Sequence, residues 1–162
     1  MSDEVEIGRG KRGRRAYTLD DIALVPSRRT RDPEDVNVGW QIDAYHVDIP
    51  LMAAPMDSVM SPETAIAFGR LGGIGVLDLD GLWTRYEDPT PILDRIAHLG
   101  EEESIATLQR VYSEPIKPSL ITARLKQLRE AGVVVAGKLS PQRVQKYWRA
   151  VVDAGVDLFI IR

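Results

Sequence analysis

Four short apolar runs, separated by segments with helical periodicity, constrain the fold of this chain more than any other feature of its sequence. The runs are apolar throughout, which is typical of strands buried on both faces of a parallel sheet. Parallel neighbours need long crossover connections, and the segments between the runs have the pattern of helices. The runs are residues 49–56, 74–80, 133–139 and 156–162, and the predicted helices are residues 61–73, 91–99, 101–113, 118–131 and 140–155.

Two of the predicted helices open with the same pair of residues. Ser61 and Ser140 stand at the predicted N-cap positions, and Pro62 and Pro141 follow at the first helical positions. Serine oxygens accept hydrogen bonds from the first turn, and proline tolerates the first helical position because no partner is needed for its nitrogen there. This repeated opening supports two separate strand-to-strand crossovers.

The order of elements predicts an α/β fold with a parallel sheet and right-handed crossovers. A doubly wound sheet and a (β/α)8 barrel both fit this order. The nearest match to a dinucleotide fingerprint, GGIGVL at residues 72–77, begins a strand and does not follow one, which argues against a Rossmann fold. A barrel needs about 250 residues, so we predict a partial (β/α)8 TIM barrel, about the first four strands, over residues 17–162. Half a barrel leaves sheet edges open, and alone it is expected to aggregate, dimerise or need a companion fragment.

Composition excludes several classes of site. The chain has no cysteine, which rules out disulfides, thiolate zinc sites and a cysteine nucleophile from these residues. Its two histidines, His46 and His98, argue against a histidine-rich metal site. No apolar run reaches the roughly 20 residues of a membrane-spanning helix, and the first residues lack the apolar core of a secretory signal. We therefore expect a cytoplasmic protein that does not bind membranes.

The first 31 residues are basic, with eight Lys or Arg against five Asp or Glu, whereas the rest of the chain is acidic. The sharpest cluster is RGKRGRR at residues 9–15. We interpret residues 1–16 as a flexible, solvated basic arm. An arm that packs on a neighbouring subunit or touches a substrate phosphate is the next alternative. Nucleic-acid binding ranks last, because Tyr17 is the one nearby aromatic for stacking.

Three sequence blocks resemble the IMP dehydrogenase and GMP reductase family. YTLDDIALVPSRRT at residues 17–30 is similar to the family's entry segment, T-F-D-D-V-L-L-V-P. IPLMAAPMDSVMSPETAIAFGRLGGIGVL at residues 49–77 carries the A-P-M-D-[ST]-V turn and the G-G-[IL]-G strand, and AGVDLFIIR at residues 154–162 is similar to a later strand. About 50 residues separate the second and third predicted strands. That spacing resembles the dehydrogenase-related branch without the regulatory cystathionine-synthase-like insert.

The resemblance implies a (β/α)8 barrel that forms homo-oligomers, commonly tetramers. It also implies hydride transfer between NAD or NADP and C2 of a purine nucleotide, IMP or GMP, through a covalent cysteine adduct. Barrel active sites lie after the carboxyl ends of the strands, and Ala54, Met56 and Asp57 follow the first run. These three residues are the candidate substrate-binding residues, with Ala54 and Met56 beside the purine ring. For Asp57 we expect a structural role in holding the loop in preference to a catalytic role.

Two positions depart from the family pattern. Asp78-Leu79-Asp80 stands where the family usually has a basic residue after the second strand, and this negative charge is expected to repel a cofactor phosphate. Arg162 stands where the dehydrogenases place an aspartate near the nicotinamide ribose. We assign Arg162 as the candidate cofactor-binding residue. Its positive charge raises the alternatives of NADPH binding or of lost activity.

The leading hypothesis is the N-terminal part of a purine nucleotide oxidoreductase that converts IMP to XMP with NAD. A GMP reductase that uses NADPH is the first alternative, and a non-catalytic nucleotide-binding or assembly protein is the second. The family's cysteine, phosphate-binding glycine loops and catalytic flap have no counterpart in these residues. The 162 residues alone are therefore expected to be inactive, and no catalytic residue is assigned.

Overall fold

The structure is a computed structural model that describes residues 4–25 and 32–162. Contacts divide the chain into two units, Met1–Asn37 and Val38–Arg162. Arg28, Arg29 and Arg31, three of the eight basic residues counted in the first 31, lie outside the described residues.

The first unit contains an antiparallel hairpin of β1 (Glu4–Gly8) and β2 (Lys11–Arg14). Gly10, with φ of 69°, takes the left-handed conformation that the tight turn requires. The register pairs Glu4 with Arg14 and Glu6 with Arg12, so acidic residues face basic ones across the strands. The sequence did not predict this hairpin inside the basic arm, because the charge pairing exists only once a register is chosen. Flexibility of residues 1–16 stays a prediction.

A second hairpin opens the larger unit, with β3 (Trp40–Ile42) paired antiparallel to β4 (Tyr45–Val47). A parallel sheet follows, made of β5 (Met52–Ala53), β6 (Ile74–Asp78), β7 (Ala136–Leu139) and β8 (Leu158–Ile161), in the order β5-β6-β7-β8. Strands of this sheet that follow one another in sequence are thus neighbours in the sheet, as are successive strands of a (β/α)8 barrel. This order agrees with the predicted α/β architecture.

The strands are shorter than the apolar runs that predict them. β5 contains only two residues, because Pro50 and Pro55 near the two ends of its run have no N–H for a ladder. The run at 133–139 contributes its last four residues to β7, and the N–H of Val135 bonds instead to Asp157 Oδ2 at 2.8 Å.

Five helices lie close to their predicted positions. They are α1 (Pro62–Arg70), α2 (Thr90–Ala97), α3 (Glu101–Ser113), α4 (Pro118–Glu130) and α5 (Pro141–Asp153). Ser61 caps α1 as predicted, because its Oγ accepts from Thr64 N at 3.0 Å. Ser140 occupies the N-cap position of α5, but its side chain makes no capping hydrogen bond. The backbone N–H of Ser140 donates to Asp80 Oδ2 at 2.6 Å, which ties the start of α5 to the loop after β6.

Buried side chains form one layer on each face of the sheet. Leu77 and Leu139 belong to the larger cluster, which includes the α4 residues Ile121, Leu125 and Leu128. The smaller cluster joins Val76 and its neighbours to Val47 of β4. Consecutive strand residues point to opposite faces, so Leu77 packs against the helices and Val76 lies on the opposite face of the sheet. None of the helices within the described residues combines the length and apolar character that a membrane-spanning helix requires.

Candidate functional site at the carboxyl ends of the strands

The carboxyl ends of the four parallel strands bring together residues that are far apart in sequence. Ala54 follows β5, Asp78 ends β6, Lys138 lies in β7 and Arg162 follows β8. The register pairs Asp78 with Lys138 and Lys138 with Ile160. Because all the strands run the same way, these residues share one edge of the sheet, which is where barrel enzymes place their active sites.

Two candidate site residues line the same cavity, which we call the Ala54 pocket. It has a volume of about 250 Å³, and Ala54 and Arg162 are both on its wall. The remaining lining residues are Met52, Ala53, Pro55, Val76, Lys138 and Ile160. The pocket therefore has mostly apolar walls and two cationic side chains.

The other two candidates line a neighbouring cavity, which we call the Met56 pocket. It has a volume of about 410 Å³ and contains Met56, Asp57 and Asp78 on its wall, with Pro55 shared between the two pockets. Met56 is 48% exposed, so it is not core filling in the described residues. The other lining residues are Ser58, Leu82, Leu93, Ile96, Leu108 and Tyr112, which bring α2 and α3 to this side of the turn. The turn at residues 54–57 thus separates two pockets.

Asp57 links the turn to two distant segments. Its Oδ2 accepts hydrogen bonds from Leu82 N at 2.7 Å and from the Tyr112 hydroxyl at 2.6 Å. Burial, together with the neighbouring Asp57 carboxylate, raises the pKa of Tyr112 well above its usual range, which keeps this phenol a donor. A side chain at Gly81 would place its Cβ 2.1 Å from Asp57 Oδ1, so the loop can approach the carboxylate only at a glycine. These contacts give Asp57 the geometry of a residue that holds the loop, and its contact with substrate stays a prediction.

A partly buried group of three charges lies between the strand ends. Lys138 Nζ is 3.3 Å from Asp78 Oδ1 and 3.2 Å from Asp80 Oδ2. The side chains of Lys138, Asp78 and Asp80 are 17%, 19% and 16% exposed. The sequence indicated only negative charge at Asp78 and Asp80, whereas the structure places the cation of Lys138 between them.

Burial and charge pairing act in opposite directions on these groups. Burial raises the pKa of Asp78, against the lowering effect of the Asp80 N–H and of Lys138. Burial also acts to lower the pKa of Lys138, but the attraction of Asp78 and Asp80 outweighs it and raises the pKa above its usual value. Lys138 is therefore a firmly protonated hydrogen-bond donor at the edge of the Ala54 pocket.

Lys138 is a residue of the candidate site that the sequence pattern did not reveal. It lies inside the third apolar run, residues 133–139. The alternation of side chains along a strand could have identified Lys138 as an inward-facing residue, since Ala136 and Lys138 are two residues apart and point to the same face. A lysine in an inward position of a buried strand is rarely left without a partner or a function.

Arg85 fixes the backbone around the charged group. It is 5% exposed, and its Nε and Nη2 donate to Asp80 O at 3.1 and 2.8 Å. Its Nη1 donates to Tyr112 O at 3.0 Å and to Glu114 O. Arg85 therefore joins the loop after β6 to the end of α3. The described residues contain no group of three His, Cys, Asp or Glu side chains that could hold a metal ion.

Comparison with known proteins places these features in a family. Residues 16–162 match the IMP dehydrogenase / GMP reductase domain. An "Uncharacterized oxidoreductase" of Mycolicibacterium smegmatis is 43% identical over 163 residues, which cover 98% of this chain and 44% of that protein. An inosine-5'-monophosphate dehydrogenase of Methanocaldococcus jannaschii is 42% identical over 64 residues, 40% of this chain and 13% of that protein.

A solved structure matches the whole fold. The crystal structure of an IMP dehydrogenase/GMP reductase-like protein from Corynebacterium glutamicum superposes with a TM-score of 0.81 and 41% identity, over 99% of this chain and 44% of that one. The chain thus spans less than half the length of these two full-coverage relatives. Its match to the domain over residues 16–162 and its partial barrel show that the chain belongs to the IMP dehydrogenase/GMP reductase family.

Proposed function

We propose that this chain is part of a purine nucleotide oxidoreductase that converts IMP to XMP with NAD. The observation that carries the proposal is the position of the turn at residues 54–57. It follows the first sheet strand, at the edge where barrel enzymes bind substrate, and has a pocket on each side. The family resemblance supplies the reaction, because relatives matched over part of this chain are inosine-5'-monophosphate dehydrogenases.

In this proposal the residues of this chain bind and orient the purine nucleotide, and they do not supply the nucleophile. Ala54 is small enough for a ring to approach the backbone of the turn, and the polarizable thioether of Met56 offers a wall to a purine. Asp57 holds the turn by accepting from Leu82 N and Tyr112. The chain has no cysteine, so a thiolate that adds to C2 of the purine cannot come from these residues.

The wall of the Ala54 pocket that Arg162 forms is suited to a part of a nicotinamide cofactor. NAD, when bound, accepts the hydride that leaves C2 of the purine. Arg162 would hold an anionic group of the cofactor at this wall, because a guanidinium forms charge-assisted bonds to phosphate.

One observation favours a second function. Arg162 places a cation on the wall of the Ala54 pocket, which is suited to the additional phosphate of NADPH. A GMP reductase reaction consumes GMP, NADPH and protons and yields IMP, ammonium and NADP. We keep this reaction as the alternative.

Steady-state assays of the complete protein distinguish the two reactions. With IMP, water and NAD, we expect XMP and NADH in equal amounts, measured by chromatography and by NADH absorbance. Faster formation of IMP and ammonium from GMP and NADPH would favour the reductase. Binding of IMP or GMP with no turnover of either cofactor pair would favour a non-catalytic nucleotide-binding protein.

We further propose that the complete protein is a cytoplasmic homo-oligomer. The support is the family resemblance, whose members are commonly tetramers. Sedimentation velocity of the complete protein measures the assembly directly, and a monomer at micromolar concentration would contradict the proposal.

A further inference from the structure

Lys138 is the polar exception in the inward-facing register of β7. The register neighbours of the preceding inward residue Ala136 are Val76 and Leu158, and all three are apolar. Lys138 is paired with Asp78 on one side and with Ile160 on the other. Its side chain is 17% exposed and lines the Ala54 pocket. The ammonium therefore lies at the boundary between a charged group and an apolar cavity.

The hydrogen bonds of Lys138 leave one donor for a ligand. Its Nζ donates to Asp78 Oδ1 at 3.3 Å and to Asp80 Oδ2 at 3.2 Å. An ammonium has three N–H donors, and across residues 4–25 and 32–162 we find no third acceptor for it. The two carboxylates fix the ammonium in place while one N–H stays unused.

A purely structural ion pair explains this arrangement less well. Buried ion pairs contribute little to stability compared with apolar side chains, because desolvation offsets the attraction. The neighbouring inward positions show that apolar residues fill this face of the sheet. A cation at the strand end, at the rim of a cavity, fits ligand binding better.

The charge balance indicates which ligand group this donor suits. Asp78 and Asp80 offset the charge of Lys138, so a further dianionic phosphate would gain little attraction there. A neutral oxygen with lone pairs is the better acceptor. The apolar walls made by Ala54, Val76 and Ile160 suit the faces of a planar ring.

We propose that Lys138 donates a hydrogen bond to the 6-oxo oxygen of the purine in the Ala54 pocket and thereby selects 6-oxopurine nucleotides over 6-aminopurine nucleotides. The inference rests on the proposed function, since it takes a purine nucleotide as the ligand. Lysine is a common partner of the O6 and N7 edge of guanine. Adenine presents an amino group at C6, which cannot accept from an ammonium.

Equilibrium binding without cofactor tests the assignment in the complete protein. Isothermal titration calorimetry measures IMP and AMP against wild type, Lys138→Met, Lys138→Arg and the control Lys126→Met, an exposed lysine of α4. We expect Lys138→Met to weaken IMP binding by about tenfold to a hundredfold, and AMP binding by less than about twofold. Lys138→Arg retains a donor and should keep most of the preference for IMP, and Lys126→Met should match wild type.

Equal binding of IMP and AMP by the wild type would overturn the inference, and so would an unchanged IMP-to-AMP ratio in Lys138→Met. Equal weakening of both nucleotides would assign Lys138 a structural role only. If Lys138→Met does not fold, the Asp78→Asn/Lys138→Met double variant restores the net charge of the group to that of wild type and must lose the same preference. Turnover assays test a different proposal from these binding measurements. A protein that prefers IMP over AMP through Lys138 but does not oxidise IMP would contradict the proposed reaction and leave the inference about Lys138 intact.

Discussion

Tyr112 donates its hydroxyl hydrogen to Asp57 Oδ2 across 2.6 Å, although the two residues are 55 positions apart. The bond joins the end of α3 to the turn that carries the candidate substrate residues. Leu82 N donates to the same oxygen at 2.7 Å, so one carboxylate oxygen holds three segments together. The shape of the Met56 pocket depends on this junction, since both Asp57 and Tyr112 lie on its wall.

We predict that Tyr112→Phe weakens nucleotide binding more than it weakens the fold. The variant removes one bond to a carboxylate at a partly exposed site and should cost about 1 kcal/mol of unfolding free energy. The turn loses a restraint, so we expect KM for the nucleotide to rise about threefold to tenfold.

The matched control for Tyr112→Phe is Tyr86→Phe. The Tyr86 hydroxyl donates to Val111 O at 3.1 Å and also reaches α3, but it makes no contact with the turn. We expect Tyr86→Phe to lose about as much unfolding free energy as Tyr112→Phe and to leave KM for the nucleotide unchanged. Equal KM for the two variants would contradict a positioning role for the Tyr112–Asp57 bond.

Arg162→Gln should act on the cofactor and leave the nucleotide unaffected. The guanidinium lines the Ala54 pocket, and a charge-assisted bond to a cofactor anion is worth about 1.5–3 kcal/mol. We expect KM for the cofactor to rise at least about tenfold. Arg149→Gln in α5, which removes an arginine that lies over the Trp148 ring, serves as the control. An unchanged KM for both NAD and NADP would remove Arg162 from the cofactor site.

Asp157 gives the fold an acid-sensitive stability. Its burial opposes ionisation, but hydrogen bonds from Arg129, Val135 N and Tyr45 outweigh this and lower the pKa of Asp157 below its usual value. A carboxyl with a lowered folded-state pKa adds stability at pH values above its unfolded-state pKa of about 3.9. That stability is lost as the pH falls through the lower folded-state pKa.

We therefore expect Asp157→Asn to cost about 1–3 kcal/mol near neutral pH and to lose less stability than wild type below about pH 4. Thermal unfolding from neutral to acidic pH measures both effects. Asp153→Asn, at an exposed position of α5, should show the pH dependence of wild type. Parallel curves for wild type and Asp157→Asn would refute the assignment.

Gly75→Ala tests the contact between α1 and β6. A Cβ at Gly75 would lie 2.5 Å from Ala65 Cα and 2.7 Å from Ala65 O, and backbone atoms cannot move aside cheaply. We expect a loss of about 1–3 kcal/mol. Gly100→Ala, where a Cβ meets nothing within 4 Å, should change the melting temperature far less. Similar melting temperatures for the two variants would show that α1 shifts to accommodate the methyl group.

Local patterns in the sequence predicted most of the elements. The helix at Glu101–Ser113 has the predicted bounds, and Ser61 caps its helix as expected. Continuous apolar runs predicted the parallel strands, because a strand that is buried on both faces has no polar face. The residue blocks around the turn at 54–57 were enough to indicate the family, and the domain match over residues 16–162 confirms it.

The composition of the site was only partly predictable. Ala54 and Arg162 share one pocket and Met56 and Asp57 another, and that division depends on where the turn lies between strand ends. Lys138 was missed because its inward direction and its position between Asp78 and Asp80 follow from strand register. Register is fixed by long-range pairing and by which face is buried, and not by the residues next to it.

The sequence by itself determined the order of strands and helices, because hydrophobic periodicity and capping are local properties of the chain. Only the tertiary structure decided which charges meet. The bond between Tyr112 and Asp57 and the placement of Lys138 between two carboxylates join segments 55 to 60 residues apart. Such contacts form only when the sheet closes the distance between strand ends, and burial then strengthens the interactions among the charges that it brings together.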